Sequence, residues 1–237
     1  MSTLAFVKRS SPPIVLPCPE EGRSGIARKN RDDFPEWPGS YFELGLIAFN
    51  DHTKTGEKRY LDEAKNYFDQ AILKGNEQFP EFYLARSATN FLLKDNAAAE
   101  NDLKKAQQID ENDYAVLCAL AFFYEEIDKM DEAEKIHRKI VANFPDNVEA
   151  HVNYAWFSLG RNNCVALKHY TEAATLAPND IERLMDKGVL ARKMEKFGDA
   201  EEALFLAMEL YKKEPNPDAD RKRKMYEQLE LARARQS

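Results

Sequence analysis

The chain has 237 residues, 43% apolar and 32% charged, which suits a folded protein with a sizeable core. Its net charge of −7 argues against wholesale binding to nucleic acid. Six basic and five acidic residues fall in 1–38, and six basic and four acidic in 217–237, so the stretch between carries a net −10.

Taken in chain order, residues 1–38 come first. They hold six of the 11 prolines (Pro12, Pro13, Pro17, Pro19, Pro35 and Pro38) and show no helical period, which predicts a proline-rich extended N-terminal arm. Charges and prolines stand where a signal peptide would need a continuous apolar core. Ile14, Val15 and Leu16 form a short apolar segment fenced by prolines. The arm is read either as a disordered tail or as a segment ordered on its own helices or on a partner. Helix pairs are predicted at 40–75, 80–110, 113–144, 147–177 and 180–213, where apolar residues recur at helical spacing between breaks. The first pair carries a polar insert, Asn50 to Glu57, predicted as a loop. Residues 216–237 are predicted to form a capping helix and tail. Asn216 is the expected cap and Pro217 the first helical residue, with Asp218 and Asp220 at the positive end. Met225, Leu229 and Ala232 should face the core. The expected domains are therefore 1–38, 39–215 and 216–237. The longest apolar run, Tyr114 to Tyr124, falls short of the roughly 20 residues a bilayer span needs. Three widely spaced cysteines (Cys18, Cys118, Cys164) suit a reducing compartment, so a cytoplasmic location is expected.

Three columns recur through residues 40–214. Small residues stand at Ala64, Ala99, Ala133, Ala166 and Ala200, spaced by 35, 34, 33 and 34. Four residues on come Phe68, Leu103, His137, Tyr170 and Leu204, and three further on Ala71, Ala106, Ile140, Ala173 and Ala207. Positions i, i+4 and i+7 share one helix face, so small residues there admit a neighbouring helix and the large one fills the gap. A single such pair cannot bury its apolar face alone, and several must stack. Ala64-x3-Phe68 and Ala166-x3-Tyr170, with Leu44-Gly45, Leu120-Ala121, Tyr124, Gly188, Pro145 and Pro178, resemble the tetratricopeptide repeat, whose period is about 34 residues.

The resemblance implies an all-α fold, a right-handed α-solenoid of about five helix hairpins plus a C-terminal capping helix. It also implies a protein-binding role, with first helices lining a concave surface at sites four residues apart. Those sites are estimated here as Phe42 and Leu46, Ala85 and Thr89, Cys118 and Phe122, Val152 and Trp156, and Met185 and Val189. They form an apolar groove or simply pack against neighbouring helices. An open apolar groove needs a cover, and the arm segment Ile14–Val15–Leu16, or a similar partner segment, is the expected one. Chaperone-adaptor members of the family carry a clamp of Lys-x3-Asn and Lys-x3-Arg. The corresponding sites here are apolar, so no such clamp is expected. Arg183 and Lys187, one turn apart, are candidate contacts for an acidic partner. The run Arg221-Lys222-Arg223-Lys224 is read as a solvated helix face, as a further acidic-partner contact, or as a nucleic-acid contact.

No catalytic, cofactor-binding or metal-binding residue is expected. His137 occupies the large-residue column and reads as a packed core histidine, while His151 and His169 lie on the two helices of the fourth pair, from which they could approach Cys164. No H-x3-H or C-x2-C spacing occurs. No phosphate-cradling glycine loop and no nucleophile elbow occur either. The expected function is a non-catalytic interaction scaffold or adaptor, a subunit or assembly factor of a larger complex. A chaperone holding an apolar segment, and an RNA- or membrane-contacting accessory acting through the basic C-terminal helix, are the alternatives. Partners are expected to be proteins or peptide segments, with no small-molecule substrate.

Overall fold

A computed structural model of the chain describes residues 23–213 and 218–235. Among these residues every regular element is a helix. They are α1 (Arg23–Asp33), α2 (Pro38–Thr55), α3 (Lys58–Lys74), α4 (Pro80–Leu92), α5 (Asn96–Ile109) and α6 (Tyr114–Glu126). There follow α7 (Met130–Asn143), α8 (Val148–Ser158), α9 (Asn163–Leu176), α10 (Ile181–Lys193), α11 (Phe197–Tyr211) and α12 (Ala219–Arg233). None is long and apolar enough to cross a membrane.

Local chemistry sets the helix ends. Side chains of Asp95, Asp113, Asn147, Asn162, Asp180 and Asp218 accept hydrogen bonds from first-turn amides of α5, α6, α8, α9, α10 and α12. Pro38 and Pro80 open α2 and α4, where a missing N–H has no cost. Each turn after α2, α4, α6, α8 and α10 contains one left-handed residue: Gly56 (φ 73°), Lys94 (68°), Asp128 (61°), Gly160 (79°) and Glu195 (61°).

The three columns lie in the core. All fifteen of their residues are buried, none more than 2% exposed. The glycines of the first helices answer the large column. A Cβ on Gly45 would stand 2.4 Å from the Phe68 ring, and one on Gly188 would stand 2.6 Å from Cγ of Leu204. Only hydrogen at those positions lets the two helices of a pair close.

Three expectations change. Residues 23–33 form a helix rather than extended arm. That window lies between Pro19 and Pro35 and contains no proline, and it buries Ala27. The insert after Asn50 continues α2 to Thr55 instead of looping. Nothing before Gly56 breaks the helix, Thr53 and Thr55 hydroxyls donate back to the carbonyls of Asn50 (2.7 Å) and Asp51 (2.8 Å), and His52 and Lys54 suit the negative end of the helix. The cap of the last helix is Asp218; Asn216 and Pro217 lie outside the described residues. Met225, Leu229 and Ala232 are buried, as their spacing predicts.

The chain divides into two compact units, Met1–Ile136 and His137–Ser237. In the first, successive helices from α1 to α6 pack each on the next, and α4 also touches α2 and α6. In the second, α9 lies against α8 and α10, and α11 against α10 and α12.

Candidate functional site

The first unit carries an apolar hollow of about 210 Å³. The first helices of three successive pairs build it. Phe49 comes from α2, Ser87, Ala88, Phe91 and Leu92 from α4, and Ala119, Phe122 and Phe123 from α6, with Leu103 of α5 also lining it. Phe91 meets Phe122 and Phe123 edge-on, with ring centroids 6.2 and 6.1 Å apart. The Ser87 hydroxyl donates to the Leu84 carbonyl at 2.7 Å, so its polar atom is satisfied within α4. Small residues at Ala88 and Ala119 leave the space that the aromatics surround. Pockets for whole small molecules run to about 300–1,000 Å³, so this one suits one or two apolar side chains of a segment.

The helix that contributes most of this wall is locked by an ion network. Arg86 donates from Nε and Nη2 to the two carboxylate oxygens of Asp102 at 3.0 and 2.6 Å, and from Nη1 to Asp69 at 2.7 Å. Asn90 donates to Asp102 at 2.9 Å. Burial disfavours the Arg86 charge, but its two carboxylate partners raise its pKa above the ordinary arginine value. The network ties α3, α4 and α5 together one turn before Phe91.

Of the groove residues expected in this unit, only Phe122 lines the hollow. Cys118 is half-buried one turn earlier on α6. Phe42 packs against Phe68 and Phe82, with centroids 5.8 and 4.8 Å apart, and so serves the core. Leu46 and Thr89 are buried, and the Thr89 hydroxyl donates to the Ala85 carbonyl at 2.9 Å. Neither lines the hollow. Ile14, Val15 and Leu16 lie outside the described residues.

In the second unit, Val152 is buried, whereas Trp156, Met185 and Val189 are half-buried on one core cluster with Ala155 and Leu190. Arg183 is ringed by its own chain's acids, Glu149 and Asp186 at 3.4 Å and Asp180 at 3.6 Å. Burial pushes the Asp186 carboxyl up to about 6, while Arg183 pulls the other way. Lys187 is half-exposed. In the basic run, Arg221 pairs with Glu182 and lies over the Tyr211 ring, and Arg223 pairs with Asp220 at 3.0 Å. Lys222 and Lys224 are exposed.

The histidines of this unit form a buried cluster. His151 Nε2 lies 2.8 Å from the Pro145 carbonyl and must donate to it, since a carbonyl only accepts. In neutral His151, Nδ1 is then an acceptor, and it takes a hydrogen bond at 3.0 Å from Nδ1–H of His169. Burial, reinforced by His151, Lys168 and His137, lowers the His169 pKa to about 4. His137 is buried and stacks on Tyr154, 5.6 Å between centroids. Cys164 is exposed. Among the described residues no group of three or more metal-ligating side chains comes together.

Solved structures similar to the chain share its helical architecture. YrrB, described as a TPR protein with an unusual peptide-binding site, matches with a TM-score of 0.54 and 15% identity over 90% of this chain and 98% of its own. The fold is the tetratricopeptide-repeat fold. MamA matches with a TM-score of 0.56 and 17% identity over 76% of this chain and 94% of its own. A chain of the APC/C hetero-tetramer Cut9–Hcn1 matches with a TM-score of 0.58 and 13% identity. That match covers 92% of this chain but 41% of the longer one. No family model and no curated protein sequence matches the chain.

Within the tetratricopeptide hairpins, the residues lining the hollow lie on another stripe of α2 and α4 than the sites estimated from the sequence. The residues at the hollow are Phe49, three beyond Leu46, and Ala88, Phe91 and Leu92, beyond Ala85. The usable signal was the aromatic clustering near the ends of α2, α4 and α6.

Proposed function

We propose that the protein is a non-catalytic scaffold, a subunit or assembly factor, that holds an extended apolar segment of a partner protein in the hollow between α2, α4 and α6. The hollow itself carries this reading. It is apolar, sized for side chains, and lined by helices from three successive pairs. YrrB, of the same fold, is described as having a peptide-binding site. Fully burying one aliphatic or aromatic side chain contributes about 1.5–3 kcal/mol, so two anchors contribute about 3–6 kcal/mol, and binding at the micromolar level, about 8 kcal/mol, needs further contacts of the segment outside the hollow. The exposed lysines Lys222 and Lys224 have a lesser role, as contacts for acidic residues of the partner.

Selecting peptides from a random library against the full chain tests the reading. Apolar peptides should emerge, and Phe122→Glu should weaken them at least tenfold, because it places a charge at a half-exposed wall position. Lys222→Glu with Lys224→Glu should change their affinity less than threefold. Selected peptides that bind the Phe122→Glu chain as tightly as the wild type would refute this assignment.

A further inference from the structure

The hollow has a candidate occupant in the chain's own sequence. Twenty-two residues precede α1, and they include Ile14, Val15 and Leu16 between Pro13 and Pro17. Four residues join α1 to α2, and the two helices pack together. A link this short makes the pair antiparallel. At a rise of about 1.5 Å per residue, α1 returns the chain to the level of Phe49, near the far end of α2. The start of α1 at Arg23 therefore lies at the same end of the hairpins as the hollow, one or two helix spacings away, or about 10–20 Å. The seven steps from Leu16 to Arg23 reach about 23 Å when extended. Proline on both sides favours an extended backbone and reduces the entropy lost on docking. Branched aliphatic side chains match a hollow with no polar group left to satisfy. Lys94 stands over the Phe91 ring, 5.8 Å from its centroid, with the charge that suits Glu20 and Glu21.

We propose that Ile14–Val15–Leu16 is the resident occupant of the α2/α4/α6 hollow, so that a partner segment gains the site by displacing it. This rests on the hollow being the protein-binding site. The segment acts as a tethered competitor at an effective concentration of about 1 mM. If its free peptide binds with a dissociation constant of about 0.1 mM, it weakens an outside peptide about tenfold.

The test uses a fluorescein-labelled synthetic peptide of residues 10–20 and three full-length proteins: wild type, I14D/L16D, and I14D/L16D/F122E. The I14D/L16D chain should bind the peptide about tenfold more tightly than wild type, and F122E should abolish that gain. Equal binding to wild type and I14D/L16D, no binding to either, or a gain indifferent to F122E overturns the proposal. A library-selected peptide separates the two levels. If its affinity depends on Phe122 but not on Ile14 and Leu16, only the competitor fails. If it does not depend on Phe122, the site itself fails.

Discussion

Single residues decide how firmly α4, the helix that forms most of the hollow, is held. Asp102 is 2% exposed and owes its buried charge to Arg86 and Asn90. Arg86→Met removes the counter-charge but keeps the aliphatic stem, and should cost about 3–5 kcal/mol of the first unit's stability in urea unfolding. Adding Asp102→Leu should recover part of that loss, because no charge then remains buried. A double variant as unstable as the single one would mean that the loss comes from packing. In the second unit, His169 sets a pH dependence. Its pKa is about 4 in the folded chain and 6.5 in the ordinary state, so between those values the unfolded chain binds the proton and the folded one resists it. The His169 contribution to stability is therefore whole above pH 6.5 and is lost as pH falls to 4, by about 3 kcal/mol at full extent, while the raised Asp186 carboxyl works the other way as pH falls through about 6. Urea midpoints of the second unit at pH 7 and pH 4.5, compared between wild type and His169→Asn, isolate the His169 share: on acidification the wild type should lose more stability, or gain less, than the variant.

At the scale of elements, the close approach of paired helices is the vulnerable feature. Gly45→Val would drive a branched side chain into Phe68 and should cost at least about 1–3 kcal/mol, read as a lower thermal midpoint with helical content retained. This feature was legible in the sequence. The alanine columns at intervals near 34 residues mark the contact faces, because a buried contact face admits few side chains. The left-handed residues ending the first helices were not legible. Lys94, Asp128 and Glu195 take a conformation that glycine would mark, and the tertiary closure of each pair imposes it on ordinary residues. α1 was hidden for a different reason. Prolines on both sides lent their character to a proline-free window that has one buried residue, Ala27, on a weakly apolar face. The site fell between these cases. Phe122 could be placed from helical spacing, but Phe49 and Phe91 could not, because which stripe of α2 and α4 borders the hollow depends on how α4 settles between α2 and α6.

At the scale of the molecule, regularity and function separate. The column residues repeat the same small–large–small order in every pair except at Ile140, and all are buried, so they specify the fold and nothing about a partner. What distinguishes this chain is the departure from regularity in the first unit, where small and aromatic residues on α4 and α6 leave space unfilled. Hydrogen exchange of the full-length protein, with and without a saturating library-selected peptide, tests that assignment most directly. Slowed exchange should be confined to the segments around 87–92 and 119–123 and the end of α2, with the amides of α9 to α11 unchanged. Protection that appears on the second unit, or on the backs of α3 and α5 while those segments stay unchanged, would contradict it.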